Sequence, residues 1–149
     1  MCGRFDLHAC PDTVARSIGA TATESGLASA GGYNITPGRS ILTVYAGASP
    51  EAPVLGLGGW GFRPQWAGDD APAPINARAE TVATSRYFRD AFAHRRCLIP
   101  ANGWFEWQQT PTGKQPWYMT AADASLIFYA GLWADSDQAP GRCCAIITE

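Results

Sequence analysis

Lysine is nearly absent from this chain, and basic excess is absent altogether. Ten of the eleven basic residues are arginine, and thirteen acidic residues bring the net charge to −2. A general nucleic-acid coat needs a large positive surplus, so that class is excluded. Long apolar runs are missing too. The longest, about residues 125–134, falls well short of the ~20 residues that span a bilayer. The opening MCGRFDLHAC has no basic region followed by an apolar run, so no secretory signal is read. The expectation is a cytoplasmic protein without a membrane partner. Histidine occurs only as His8 and His94, and the five cysteines form no C-x-x-C pair. No zinc spacing can be written, and no metal or other cofactor is expected. Most of the five, Cys2, Cys10, Cys97, Cys143 and Cys144, read as small buried hydrophobes rather than a disulfide framework, with Cys2 set apart by its position. No internal repeat is visible.

What is present is an apolar, turn-rich chain. Apolar residues make up 46% of the 149 and charged residues 16%, which excludes disorder. That length suits one domain, residues 1–149. Sixteen glycines and eleven prolines punctuate it at the density of a β-rich body. The fold class read from this is α+β with strands predominating. A short helix is expected after Pro11, ending at Gly19. Residues 20–32, rich in Ala, Thr, Ser and Gly, read as a mobile loop. Strands are expected over 40–46, 55–66 (running into a turn at Pro64), 97–107, 117–120, 126–133 and 143–148. Residues 81–94 carry a helical stripe of Val82, Tyr87, Phe88, Ala91 and Phe92. The last strand, CCAIIT, reads either as a sheet edge or as a strand lacking a neighbour.

Three segments carry residue types suited to chemistry. The first is Met1-Cys2-Gly3-Arg4. Removal of Met1 would make Cys2 a 1,2-aminothiol, which condenses with an aldehyde to an imine and then closes a thiazolidine ring. At pH 7 an α-amine is about 14% neutral and a lysine about 0.04%, an advantage of roughly 350-fold in nucleophile. The thiol is about 3% thiolate and would gain from a nearby base. A Cys at position 2 taken alone is also simply a small residue.

The second segment is Pro74–Thr81. Extended, it points Asn76 and Arg78 to one face and Ile75 and Ala77 to the other. One face then carries an amide able to donate and accept beside a guanidinium able to hold a phosphate. It reads equally as a strand end with Arg78 exposed. The third is RRCLIPANGWFEW, where Glu106 lies among large aromatics. Desolvation there would push a carboxyl toward neutrality and fit it for proton transfer. The alternative is a wet-face glutamate paired with Arg95 or Arg96. Arg78, Arg86, Arg89, Arg95 and Arg96, opposed only by Glu80 and Asp90, form a possible local phosphate patch. Arg86 and Arg89 read equally as a solvated helix face. Among the aromatics Trp60, Phe62, Trp66, Trp104 and Trp107, one or two could serve as stacking platforms for unpaired bases and the rest read as core.

MCGRF, YNITP, WGFRPQWA, NARAET, RRCLIPANGWFEW, KQPWYM and FYAGLWA occur in that order across nearly the whole chain. Together they resemble the SOS response-associated peptidase family, the abasic-site processing proteins. The resemblance implies one β-rich α+β domain that binds single-stranded DNA at an abasic site. It implies loss of Met1 by self-processing and a covalent thiazolidine cross-link, with peptidase and lyase activity in the DNA damage response. Carried over by motif, Cys2 is the nucleophile, Asn76 orients its amine and Glu106 moves protons. Arg4 and Arg78 hold flanking phosphates, and Pro37 and Trp66 touch or wedge neighbouring bases. The family continues past the strand matched by CCAIITE into an I-H-x-R-M-P segment. The expectation is therefore a domain incomplete at that end, with weaker DNA binding and impaired release. An inactive remnant and a cysteine peptidase acting on other proteins are the competing readings. The peptidase would need a Cys–His arrangement, which is not readable here.

Overall fold

The computed structural model describes residues 3–47, 49 and 52–149. Its elements, in chain order, are β1 (Phe5–Leu7), α1 (Pro11–Ile18), β2 (Thr21–Ala22), β3 (Gly32–Ile35), β4 (Ser40–Tyr45), β5 (Val54–Trp60) and β6 (Asn76–Arg78). There follow α2 (Arg89–His94), β7 (Arg96–Ala101), β8 (Gly103–Thr110), β9 (Gly113–Thr120), β10 (Ile127–Asp135) and β11 (Arg142–Thr148). The α+β, strand-dominated class expected from composition is the one observed.

Five strands close on themselves in the order β5–β4–β7–β10–β11. Four of the ring's pairings are antiparallel. The closing one is parallel, with Cys143 opposite Gly59 and Cys144 opposite Trp60. Closure removes the free edges that an open sheet would expose. It also needs a tight interior. At Gly58 a Cβ would stand 2.9 Å from the Tyr45 hydroxyl and 3.2 Å from Cys144 Sγ, so this close approach requires glycine. Ile41, Leu42, Leu55, Ile99 and Ile146 fill the core, and each is at most 1% exposed. Two short strands flank the ring in parallel pairing, β2 on β5 and β6 on β11. The chain leaves the ring at Asn102 and enters a second antiparallel sheet, ordered β3–β1–β8–β9.

Several expectations need correction. The helix read over 81–94 is a helix only from Arg89; turns precede it. The Thr84 hydroxyl donates to the Thr81 carbonyl, and the Ser85 hydroxyl oxygen accepts from the Tyr87 N–H. These local bonds compete with helical pairing. The apolar stripe survives as packing: Val82 and Ala91, flanked by Tyr87, Phe88 and Phe92, form a second cluster with Phe62 and Leu132. The run 97–107 is two strands, because Asn102 breaks it and sends its halves to different sheets. Residues 20–32 are packed rather than a loose loop. Leu27 and Ala30 are buried, and Glu24 accepts from the Leu57 N–H and binds Arg142 at 2.7 Å. The final strand is interior: β10 lies on one side, with β6 and β5 on the other. The Pro11 start and the Gly19 stop of α1 hold as expected, with Gly19 in the left-handed region at φ 66°.

Candidate functional site

Asn76 and Arg78 stand on β6, which runs parallel to β11 with Asn76 opposite Ile146 and Arg78 opposite Thr148. The alternation is as the sequence implies: Ala77 is buried, Arg78 is exposed and Asn76 is half-buried. The side-chain oxygen of Asn76 is shielded from solvent. The segment is anchored at Ile75, whose carbonyl accepts from the Ile146 N–H at 2.9 Å and from the Trp60 indole at 3.1 Å.

Trp60 joins this segment to the second sheet. Its ring, 1% exposed, meets Phe5 edge-on at 5.2 Å. Phe5 stands opposite Trp104 on β8. Glu106 lies two residues on, on the same face as Trp104 and half-buried. The Arg4 carbonyl accepts from the Phe105 N–H at 3.0 Å, next to Glu106 in sequence. The Arg4 guanidinium donates to the Asn34 side-chain oxygen at 3.2 Å and is exposed. Arg4 and Glu106 are thus carried by one sheet and Asn76 and Arg78 by the other, and the Phe5–Trp60 contact links the two. Cys2 lies outside the described residues.

The two remaining candidates flank this junction. Pro37 sits in the turn between β3 and β4, tied to the end of β5 by the Gly38 N–H on the Trp60 carbonyl at 2.8 Å. Pro37, Trp60, Arg63 and Ile75 line a cleft of about 450 Å³ that also reaches Arg142. Trp66 lines a different cleft, about 220 Å³, with Phe62, Tyr87 and Arg95. Pro64 and Gln65 line both, so the clefts are neighbours. Trp66 is 59% exposed; Tyr87 packs on its edge and the Arg86 guanidinium lies 5.6 Å from its ring centre. Arg86 is exposed and lies over the Trp66 ring.

The arginine patch divides. Arg95 is occupied by Asp90 and Asp135, at 3.8 and 3.4 Å, and stacks on Trp133. Burial raises the thiols of Cys97 (to about 12), Cys143 and Cys144, as their reading as core residues requires. Cys10 is exposed, and a hydrogen bond from the Thr13 side chain lowers its thiol. Among the described residues no helix is long and apolar enough to cross a membrane.

One arrangement escaped the sequence reading. The Asp6 carboxylate, 3% exposed, accepts from the Tyr118 hydroxyl at 2.7 Å and faces His8 Nδ1 at 2.9 Å. Asp6 and His8 share a face of one strand, which a two-residue spacing could have signalled. Tyr118 comes from 112 residues away and carried no local signal.

Residues 1–149 match the family model described as SOS response associated peptidase (SRAP). The abasic site processing protein YedK of Escherichia coli is 40% identical over 102 residues, covering 68% of this chain and 44% of that protein. YoqW of Bacillus subtilis, also named an abasic site processing protein, is 33% identical over an aligned 154 residues, 99% of this chain and 68% of its own. A crystal structure of a phage-related protein from Bordetella bronchiseptica superposes with a TM-score of 0.75 at 28% identity, covering 99% of this chain and 69% of that one. A Bacteroides thetaiotaomicron protein shares the fold, with a TM-score of 0.81 at 23% identity over 98% of this chain and 67% of that one. The chain thus spans from under half to about two thirds of the lengths of these relatives. With the family model matched from residue 1 to residue 149 and two abasic site processing proteins at 33% identity or above, the chain belongs to the SOS response associated peptidase family.

Proposed function

We propose that residues 1–149 form one domain that processes abasic sites by trapping them covalently on single-stranded DNA. After loss of Met1, the Cys2 amine condenses with the ring-opened sugar aldehyde and releases water. The Cys2 sulfur then adds to the iminium carbon, closing the thiazolidine, and the thiol proton goes to Glu106. Asn76 orients the amine through its side-chain oxygen. Glu106 supplies the proton that turns the carbinolamine hydroxyl into water and takes one up as sulfur adds. Arg4 and Arg78 hold the phosphates beside the lesion; Pro37 and Trp66 contact the flanking bases. A few phosphate contacts suffice for such a site, which accommodates the net charge of −2. Single-stranded substrate fits because an aldehyde within a duplex would first have to be extruded.

The observation that supports this reading best is the convergence at Trp60 and Phe5. The Trp60 indole holds the carbonyl before Asn76, Phe5 stands beside Trp104, and the Arg4 carbonyl is bonded at the residue before Glu106. Cys2 is two residues from Arg4 in the same chain. The test is incubation with a single-stranded oligonucleotide carrying one abasic site. A heat-stable adduct on a denaturing gel is expected, together with an intact mass lacking Met1. A Cys2→Ala variant that cross-links as well as the parent would refute the proposal, as would a retained Met1 in cross-linking protein.

A further inference from the structure

From Arg4 the chain runs through β1 to His8, ~13 Å further if extended, where the side chains form a second arrangement. Asp6 faces His8 Nδ1 with both carboxylate oxygens, at 2.9 and 3.1 Å. Only a donor can face a carboxylate in this way, so Nδ1 carries the proton and Nε2 is turned away. The backbone is held as well: Asn102 Oδ1 accepts from the N–H groups of His8 and Ala9, at 2.9 and 3.0 Å. The oriented imidazole stacks on Tyr33 of β3 with ring centres 5.3 Å apart and planes 18° apart. Tyr33 is nonetheless 74% exposed. A large ring is therefore presented to solvent on a support that is itself held by hydrogen bonds to Asp6 and Asn102.

The surroundings of Tyr33 are cationic. On one side is Asn34, which receives the Arg4 guanidinium. On the other is Gly32, where an added Cβ would stand 3.7 Å from an Arg39 terminal nitrogen. Arg39 is exposed, and its other terminal nitrogen donates to the Ser29 carbonyl at 3.3 Å. A cleft of about 300 Å³ opens beside the stack, with His8 and Tyr33 among its walls.

We propose that this face is a second single-stranded DNA subsite: a base remote from the lesion stacks on Tyr33, backed by His8, and its phosphate lies on Arg39. An exposed aromatic flanked by arginines suits this ligand, because every base has a π-face and a neighbouring phosphate. The inference rests on the proposed function for the identity of the strand, but it concerns nucleotides away from the cross-linked sugar. It gives the protein a grip on DNA flanking the lesion that does not depend on covalent capture.

The experiment compares two oligonucleotides. One covers only the abasic site and its immediate neighbours, and the other is lengthened on either side; undamaged versions serve for fluorescence anisotropy and abasic versions for adduct formation. The wild type should bind the longer strand more tightly. Tyr33→Ala should lose about 5- to 150-fold on the longer strand, the equivalent of one base stack, and little on the short one. Tyr33→Phe should retain the gain. Arg39→Ala should lower the salt dependence on the longer strand by about 0.7 in log–log slope, one phosphate on a single strand. Thermal melting of Tyr33→Ala at the wild-type temperature shows that the fold is kept. A length gain equal in wild type and Tyr33→Ala, or no gain in either, overturns the subsite. Failure of the wild type to form an adduct on the short abasic strand overturns the proposed function, and the anisotropy series is read independently of it.

Discussion

Replacing Gly103 with alanine tests how tightly the second sheet is built around Asp6. Gly103 is buried, stands opposite Asp6 on β1 and lies three residues before Glu106. An added Cβ would fall 2.4 Å from the Met119 carbonyl oxygen and 2.6 Å from both the ring carbon and the hydroxyl oxygen at the tip of Tyr118. The carbonyl belongs to the β8–β9 ladder and cannot rotate aside, so strand and ring must both move. Overpacking of this kind costs ~1–3 kcal/mol. Displacing the Tyr118 ring breaks its 2.7 Å bond to the Asp6 carboxylate. A hydrogen bond to a charged group contributes ~1.5–3 kcal/mol. Alanine recovers ~0.4–1 kcal/mol by restricting the unfolded chain. The net expectation is a loss of about 2–5 kcal/mol, a large part of an ordinary domain's stability. Urea denaturation followed by fluorescence of the six tryptophans measures it. In a Tyr118→Phe background the Asp6 bond is already gone, so the same substitution should cost only the steric part, ~1–3 kcal/mol. Gly3→Ala, which meets nothing within 4 Å, serves as the neutral control. A Gly103→Ala loss below about 1 kcal/mol, or full additivity with Tyr118→Phe, would refute the coupling of β9 packing to Asp6.

Burial, reinforced by the Asp6 hydrogen bond and charge, pushes the Tyr118 phenol up from 10.0 to about 12. The native state keeps this proton where the unfolded chain has lost it, so stability should fall between about pH 10 and pH 12, and Tyr118→Phe should flatten that fall in urea titrations across this range; an unchanged slope would contradict it. Thiol chemistry gives a second check. An alkylating reagent followed by peptide mapping should modify the exposed, lowered Cys10 in the native protein, while Cys97, Cys143 and Cys144 react only on unfolding. Native-state labelling of Cys97 or Cys144 as fast as Cys10 would show that the ring core opens readily.

Local signals carried far along this chain and then stopped at closure. Pro11 and Gly19 bracket α1, and the apolar runs at 126–133 and 143–148 are the strands β10 and β11. The ring itself was hidden, because the parallel contact of Gly59 and Trp60 with Cys143 and Cys144 joins segments with no shared local pattern. The glycines of β5 were read within a strand without a reason for them, whereas Gly58 is there to admit Tyr45 and Cys144. The helix was read too long because a 3.6-residue stripe also describes a run of turns packed on an apolar cluster; the side-chain bonds of Thr84 and Ser85 decided between them. In the candidate site, the alternation of Asn76, Ala77 and Arg78 was legible from one strand alone. Trp60 was read only as one aromatic among several, since the Ile75 carbonyl it holds lies in another element.

Asn102 shows why the two sheets cannot be considered apart. Its N–H donates to the Asp6 carbonyl at 2.8 Å, its side chain receives His8 and Ala9, and its carbonyl accepts the Thr120 hydroxyl at 3.0 Å. Immediately before it, β7 pairs with β10 in the ring; immediately after, β8 pairs with β1 and β9. One residue thus ends the ring strand and begins the strand that carries Glu106. It also fixes the backbone between the Arg4 end and the His8 end of β1. Arg4, proposed to hold a phosphate beside the lesion, and His8, proposed to back a flanking base, therefore lie at opposite ends of the same short strand. A side chain that must meet a reacting atom within a fraction of an ångström is best carried on such a braced element rather than on a loop. Strand β1 has only three residues and could not hold that geometry alone. Its rigidity comes from β8 and β3 on either side and from the ring that Asn102 connects to it.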